Sequence, residues 1–384
     1  MLACSPPFPL IIDFPDEGHD ITAKDESGII HALNHRSRVY HIRLWMPVPN
    51  LQRILMAMDW EFPTLEYLDI ASPIKHDTIL ILPETFQASQ LRYLVLKNFA
   101  LPLRPSLLTT AAGLLTLSLR RIHPSASLRP NELLHLLLFM PQLTLLEISF
   151  HSPDQTSGLE NQRFDAPTIV TLPNLRRFAF GGVVAYLEVL LCQITTPLIE
   201  ILEIELFNEP IFSIRLPLIL IISETRISGF NNAILTFYQE SVSVRAYSHQ
   251  WDGMRSFSMK VPCRGLDRQL VFAIQISGAL QPLLSAMEYL ALEYSGPEGH
   301  KEAGRTVWRQ LLSPFRNVKT LRVPEGLVGE LSRSLRSDGV EPPQELLPEL
   351  KVLEYPAGKI DGDAFTPFIN ARQIAGCPVT LVRR

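Results

Sequence analysis

Several of the usual markers of functional class are missing from this sequence. The four cysteines, Cys4, Cys192, Cys263 and Cys377, are scattered, with no C-x-x-C pair and no zinc-finger spacing. Neither a metal-stapled nor a disulfide-framed fold is expected, and free buried thiols are the plain reading. No Asn-x-Ser/Thr sequon occurs, which fits a reducing intracellular compartment, cytoplasmic or nuclear, better than a secretory history. Charge of one sign is scarce too: 35 basic and 39 acidic residues give −4, with no run of five or more like charges. Neither a nucleic-acid footprint nor an acidic tail is therefore expected.

Long hydrophobic runs are also absent. The longest, Leu216 to Ile222 and Leu136 to Met140, fall far short of the roughly 18 residues that span a bilayer, so no membrane partner is expected and the chain reads as soluble. The N-terminus MLACSPPFPLIID lacks a basic region, and Pro9 and Asp13 interrupt its apolar stretch, which makes a poor signal peptide. No GxSxG elbow, Lys-Ser/Thr phosphate loop or GxGxxG turn is found, leaving no recognisable nucleophile or nucleotide cradle.

What is present is apolar and punctuated. Hydrophobic residues make up 46% of the 384 and charged residues 19%, enough to bury a large core and too apolar for disorder. The 31 prolines rule out long uninterrupted helices and demand frequent turns. One template, apolar-x-x-apolar-x-apolar, recurs along nearly the whole chain. It reads at Val39/Ile42/Leu44, Leu65/Leu68/Ile70, Leu91/Leu94/Leu96, Leu114/Leu117/Leu119, Leu143/Leu146/Ile148 and Leu175/Phe178/Phe180. It continues at Ile199/Leu202/Ile204, Met254/Phe257/Met259, Met287/Leu290/Leu292, Val318/Leu321/Val323 and Leu350/Leu353/Tyr355. The middle residues step by 26, 26, 23, 29, 32, 24, 55, 33, 31 and 32, and the 55 reads as two repeats.

The closing apolar-x-apolar alternates with period two, so it predicts a short strand with two side chains inward and one outward. Helical spacing fills the intervals, as in NLQRILMAMD from Asn50, NELLHLLLFM from Asn131 and AYLEVLLCQI from Ala185. In two of these an Asn stands where an N-cap belongs. Strand, loop, helix and return make one leucine-rich-repeat unit, which cannot bury its apolar face alone and must stack on neighbours. The predicted fold is therefore α/β: an irregular leucine-rich-repeat solenoid of short parallel strands alternating with helices. The position three beyond the last strand anchor carries Phe99, Ile122, His151, Val183 or Phe207, so no asparagine ladder is expected and the turns should vary.

Between Phe230 and Val261 the pattern shifts to AILTF, VSVRAY and SFSMKV, with a turn near Glu240. This predicts an antiparallel insertion over 230–261. The apolar run LPLILII just before it reads as core. Residues 1–36 should form an extended segment and a capping helix from Lys24 to His35. A single domain should cover 37–384, closed by a helix and strand over 362–384.

Sites of chemistry are sparse. His31 and His35 sit at i, i+4, a metal-compatible spacing without a third ligand, and read as a solvated helix face. Asp361-Gly362-Asp363 reads as a turn and N-cap. No catalytic, cofactor-binding or metal residue is assigned. The repeat geometry instead places Arg43, Asp69, Glu147, Glu203, Arg322 and Glu354 between inward anchors, facing the concave side, with Tyr67, Tyr93, Lys97, Arg120, Glu205, Tyr289 and Glu293 beside them. Tyr and Arg among mixed charges suit protein recognition, and an ordinary solvated sheet face is the plainer alternative.

The chain also resembles the large, divergent group of F-box-type leucine-rich-repeat proteins of mushroom-forming fungi. The resemblance rests on SPPFPLIIDFPDE at 5–17, LPNLRRFAF at 172–180, CRGLDRQL at 263–270, MEYLALE at 287–293, NVKTLRV at 317–323 and GDAFTPFINARQIAGCPVTLVRR at 362–384. In that family an F-box precedes the SPP-type segment and docks on the adaptor of a ubiquitin ligase, while the repeats choose the substrate. The resemblance implies a non-enzymatic substrate-recognition region with an unidentified protein partner. The chain begins at the SPP-type segment, so an adaptor is a partner only where an F-box lies upstream. A free-standing structural or decoy repeat protein is the first alternative, and a hydrolase the second.

Overall fold

The computed structural model describes residues 8–14, 21–72, 80–100, 106–122, 128–151, 169–207, 229–248, 255–296, 304–336, 346–356 and 364–383. Asp361-Gly362-Asp363, Met254, Cys4 and the LPLILII run lie outside them. Among the described residues the protein is α/β, with short, mostly parallel strands alternating with helices. It divides into two compact units, Met1–Ile199 and Glu200–Arg384.

In the first unit the strands are β1 (Leu10–Phe14), β2 (Val39–Trp45), β3 (Tyr67–Ala71), β4 (Leu80–Ile81), β5 (Tyr93–Lys97), β6 (Phe99–Ala100), β7 (Thr116–Ile122), β8 (Leu145–Phe150), β9 (Val170–Thr171), β10 (Arg177–Gly182) and β11 (Ile194–Thr195). The main sheet runs β1-β2-β3-β5-β7-β8-β10, parallel throughout, and β4–β6 and β9–β11 make small parallel pairs. Within residues 1–36, Leu10–Phe14 supplies the first strand of the ladder and Ala23–Leu33 is a helix.

Register follows the template. Ile42, Leu68, Leu94, Leu117, Leu146 and Phe178 are successive cross-strand partners, as are Leu44, Ile70, Leu96, Leu119, Ile148 and Phe180. All are buried. A one-residue slip would expose every one of them, so burial of this face specifies the pairing. Backbone bonds tie one turn to the next: the amide of Glu66 donates to Tyr40 O at 2.9 Å, that of Arg92 to Glu66 O at 2.9 Å and that of Thr116 to Arg92 O at 3.0 Å.

Proline, not asparagine, starts two of the helices. Helix Val48–Met56 carries Pro49 in its first turn, and Asn50, expected as its N-cap, lies inside the helix and donates from Nδ2 to Glu26 Oε2 at 3.0 Å. Helix Pro130–Leu137 begins with Pro130, and the amide of Arg129 donates to Glu132 Oε2 at 2.9 Å, so Asn131 is not its cap either. Proline presets the helical φ in the first turn, which moves each start upstream of the asparagine. Helix Ala23–Leu33 has a true capping box between Thr22 and Asp25. An asparagine also serves one turn in the absence of an asparagine ladder: Asn98, with φ of +65°, donates from Nδ2 to Ser72 O at 3.0 Å, a left-handed position that asparagine tolerates.

The second unit contains β12 (Ile201–Leu206), β13 (Asn232–Phe237), β14 (Ser241–Tyr247), β15 (Ser256–Pro262), β16 (Tyr289–Tyr294), β17 (Thr320–Arg322), β18 (Val352–Tyr355) and β19 (Thr380–Arg383), in the order β12-β15-β14-β13-β16-β17-β18-β19. β13, β14 and β15 form the antiparallel meander, turning at Gln239 and Glu240. Its placement corrects the reading of the repeat steps. Leu202 and Phe257, 55 residues apart, are direct partners, whereas two strands stand between Phe257 and Leu290. A meander enters the sheet from its last strand, so its extra rungs fall after the long step rather than within it.

The long helix Leu266–Ala279 starts from Gly265 at φ +82°, a backbone region that glycine enters without steric cost. Buried Gln269 holds this helix to the hairpin turn, donating from Nε2 to Tyr238 O at 2.6 Å and Cys263 O at 3.1 Å. Further along, buried Trp308 donates from Nε1 to Glu330 Oε2 at 2.8 Å. The closing helix and strand are Thr366–Ile374 and β19. No described helix is long and apolar enough to cross a membrane.

Because Leu94 is fully buried in the middle of the first ladder, Leu94→Ala should cost about 2–5 kcal/mol. Arg322→Ala on the exposed side should stay within about 0.5 kcal/mol. Chemical denaturation of both variants checks the contrast.

Candidate functional site

Helices normally cover both faces of a parallel sheet. Here the face opposite the buried anchors carries polar, charged and aromatic side chains, many of them exposed. In the first unit this open face has three rows, set by register. The first is Ile11, His41, Tyr67, Tyr93, Thr116 and Leu145; the second is Asp13, Arg43, Asp69, Val95, Ser118 and Glu147. Trp45, Ala71, Lys97 and Arg120 make the third.

The first row is a stack. The rings of His41 and Tyr67 lie 4.1 Å apart and parallel within 1°, and Tyr67 and Tyr93 are 5.8 Å apart and tilted by 35°. Burial lowers the imidazole pKa of His41, with Asp13 pulling the other way, which favours the neutral ring in the stack. One ion pair lies within the second row and another joins the second row to the third. Arg43 Nε is 4.0 Å from Asp69 Oδ2, and Arg120 Nη2 is 2.7 Å from Glu147 Oε2. Ser118 Oγ joins the second pair, donating to Glu147 at 2.8 Å and accepting from Arg120 Nε at 3.1 Å. Burial raises the carboxyl pKa of Asp69, more than the guanidinium groups of Arg43 and Arg120 lower it. Burial, then the charge of Asp69, raises the Tyr67 phenol. Lys97 Nζ sits 5.8 Å from the Trp45 ring.

Seven of the expected recognition residues, Arg43, Tyr67, Asp69, Tyr93, Lys97, Arg120 and Glu147, therefore share one surface of the first unit. In the second unit, Glu203, Arg322 and Glu354 fall in one register row with Ser258, Arg245, Ile234 and Ala291. Glu205 pairs with Lys260 at 2.7 Å, and Glu293 accepts from Thr236 Oγ1 at 2.9 Å. The meander separates Glu203 and Glu205 from Tyr289 and Glu293, and Glu354 is buried rather than presented. That unit brings its predicted residues together only as a long, discontinuous row.

Pattern reading passed over His41, Trp45, Arg245, Tyr247 and Lys260. A signal existed for the first two, since His41 and Trp45 lie two residues either side of Arg43 and share its face by strand alternation. Arg245 and Tyr247 needed knowledge of where the meander enters. Of the cysteines, Cys263 is buried and Cys192 is exposed, which corrects the expectation of buried thiols at Cys192. Packing supplies the reason: the Cys192 helix buries Tyr186, Leu187, Leu190 and Leu191 instead. The His31 and His35 rings meet edge to face at 5.5 Å, and no group of three metal-binding side chains gathers among the described residues. Set against known proteins, the chain matches no protein-family profile and no curated protein.

The raised pKa of Asp69 has a definite sign. The folded state holds this proton more tightly than the unfolded chain, so the associated stability is present below the ordinary value of 3.8 and lost as pH rises through the higher folded value. Asp69→Asn removes the linkage. Its stability relative to the wild type should improve between about pH 3 and pH 7, measured by denaturation at each pH.

Proposed function

We propose that this chain is built of irregular leucine-rich repeats and acts as a non-enzymatic protein-binding scaffold. In this reading its open sheet faces recognise an unidentified protein, in the manner of the substrate-recognition region of an F-box-type ubiquitin-ligase receptor. One observation carries the reading. Among the described residues, the sheet face opposite the buried anchors presents stacked rings and paired charges in rows across six strands of the first unit. Aromatic and arginine side chains are the groups that carry binding hot spots, the aromatic rings because they lose little side-chain freedom on contact. An ion pair between rows holds Arg120 and Glu147 in place before any partner arrives, which lowers the ordering cost of association. The sequence blocks that resemble F-box-type repeat proteins are what suggests the ligase context.

Affinity capture from a lysate of the source organism tests this. The wild type should retain a protein that Tyr67→Ala/Tyr93→Ala loses and that Met56→Ser keeps, Met56 being 78% exposed on a helix away from the open face. Capture indifferent to the tyrosines would count against the reading.

A further inference from the structure

The ring stack on the first unit is unfinished. After His41, Tyr67 and Tyr93 the next register position is Thr116, too short to continue it, and the one after is Leu145. Tyr93 keeps 40% of its surface exposed, and Leu145 stands two rungs away, about 10 Å. The position between them is held by Thr116, whose short side chain leaves the Tyr93 ring without a neighbouring ring on that side. A ring there would prolong the stack from Tyr93, the offset or tilted arrangement that aromatic pairs favour.

Four residues along the same strand lies a second unfinished feature. Arg43 and Arg120 have carboxylates beside them, Asp69 and Glu147. Lys97 reaches across the small Ala71 toward the Trp45 ring, and among the described residues it pairs with no carboxylate. Its register neighbour Arg120 is already met by Glu147, so the positive charge of Lys97 is the one left to favour an anion. Glutamate or aspartate meets that need, whereas a basic side chain would be repelled.

Resting on the scaffold reading above, we propose that the open face of the first unit binds an extended acidic-aromatic segment of a partner protein. An aromatic side chain enters the step beside Tyr93, and a carboxylate pairs with Lys97. The distance from Tyr93 to Lys97, four residues of strand or about 13 Å, sets a spacing of about four residues between the two groups in an extended segment.

Selection of a displayed library of random nine-residue peptides on the full chain tests this. The expected outcome is enrichment of Phe, Tyr or Trp about four positions from Asp or Glu. A selected peptide, labelled for fluorescence anisotropy, should then weaken about tenfold or more on Lys97→Glu at low salt and regain affinity when its acid is changed to Lys. Tyr93→Ala should abolish the preference for an aromatic, with melting temperatures showing that each variant is folded. Peptides whose binding depends on the open face but which carry basic or purely aliphatic residues would overturn the acidic-aromatic assignment while leaving the scaffold reading intact. Selection that yields no peptide sensitive to these substitutions would overturn both.

Discussion

Each strand of the ladder offers its neighbours a row of backbone amides and carbonyls and two apolar side chains on one side. Neither has any value alone, since a lone strand leaves its hydrogen bonds to water and its leucines exposed. Pairing in register satisfies both at once: Leu68 lands beside Ile42 and Leu94, all buried. Everything on the opposite side inherits its position from that constraint. His41, Tyr67 and Tyr93 stack because the residues one place further along their strands are locked into the core.

The same constraint explains why the open face can be rich in charge. Side chains there are spaced by the strand separation in one direction and by the two-residue repeat in the other, so each Arg or Asp has neighbours at fixed positions. Alternation across rungs produces Asp13, Arg43, Asp69, Val95, Ser118 and Glu147, a row in which Arg43 stands between two aspartates and Glu147 meets Arg120 of the next row. Partial burial tunes it further. The cost of holding Asp69 ionised exceeds the help from two guanidinium groups, because the site is buried enough to penalise the charge and the nearer guanidinium, that of Arg43, lies 4.0 Å away.

The two units solve the same packing problem differently. In the first, each crossover returns the chain to the next rung and the sheet is parallel throughout. The second interrupts that order with a meander whose turn residues, Tyr238 and Ser241, give their carbonyls to Gln269. A single buried amide thus ties the hairpin to the helix that leads back into the parallel ladder. Such a group is worth placing in a core only when its donors are met, as they are here by three backbone oxygens.

Sequence alone determined the parity of the strands. The apolar-x-apolar pairs named Leu94 and Leu96 as inward and Val95 as outward, and the same count placed Arg43, Asp69 and Glu147 on a common face, because period two is a local property of extended backbone. It also made the meander legible as three short alternating runs. Only the tertiary structure decided which strands are neighbours around that meander, that proline rather than asparagine opens two helices, and that the stack on the open face stops at Thr116. These depend on where distant segments meet. Hydrophobic spacing records that a side chain must be buried, but not which partner buries it.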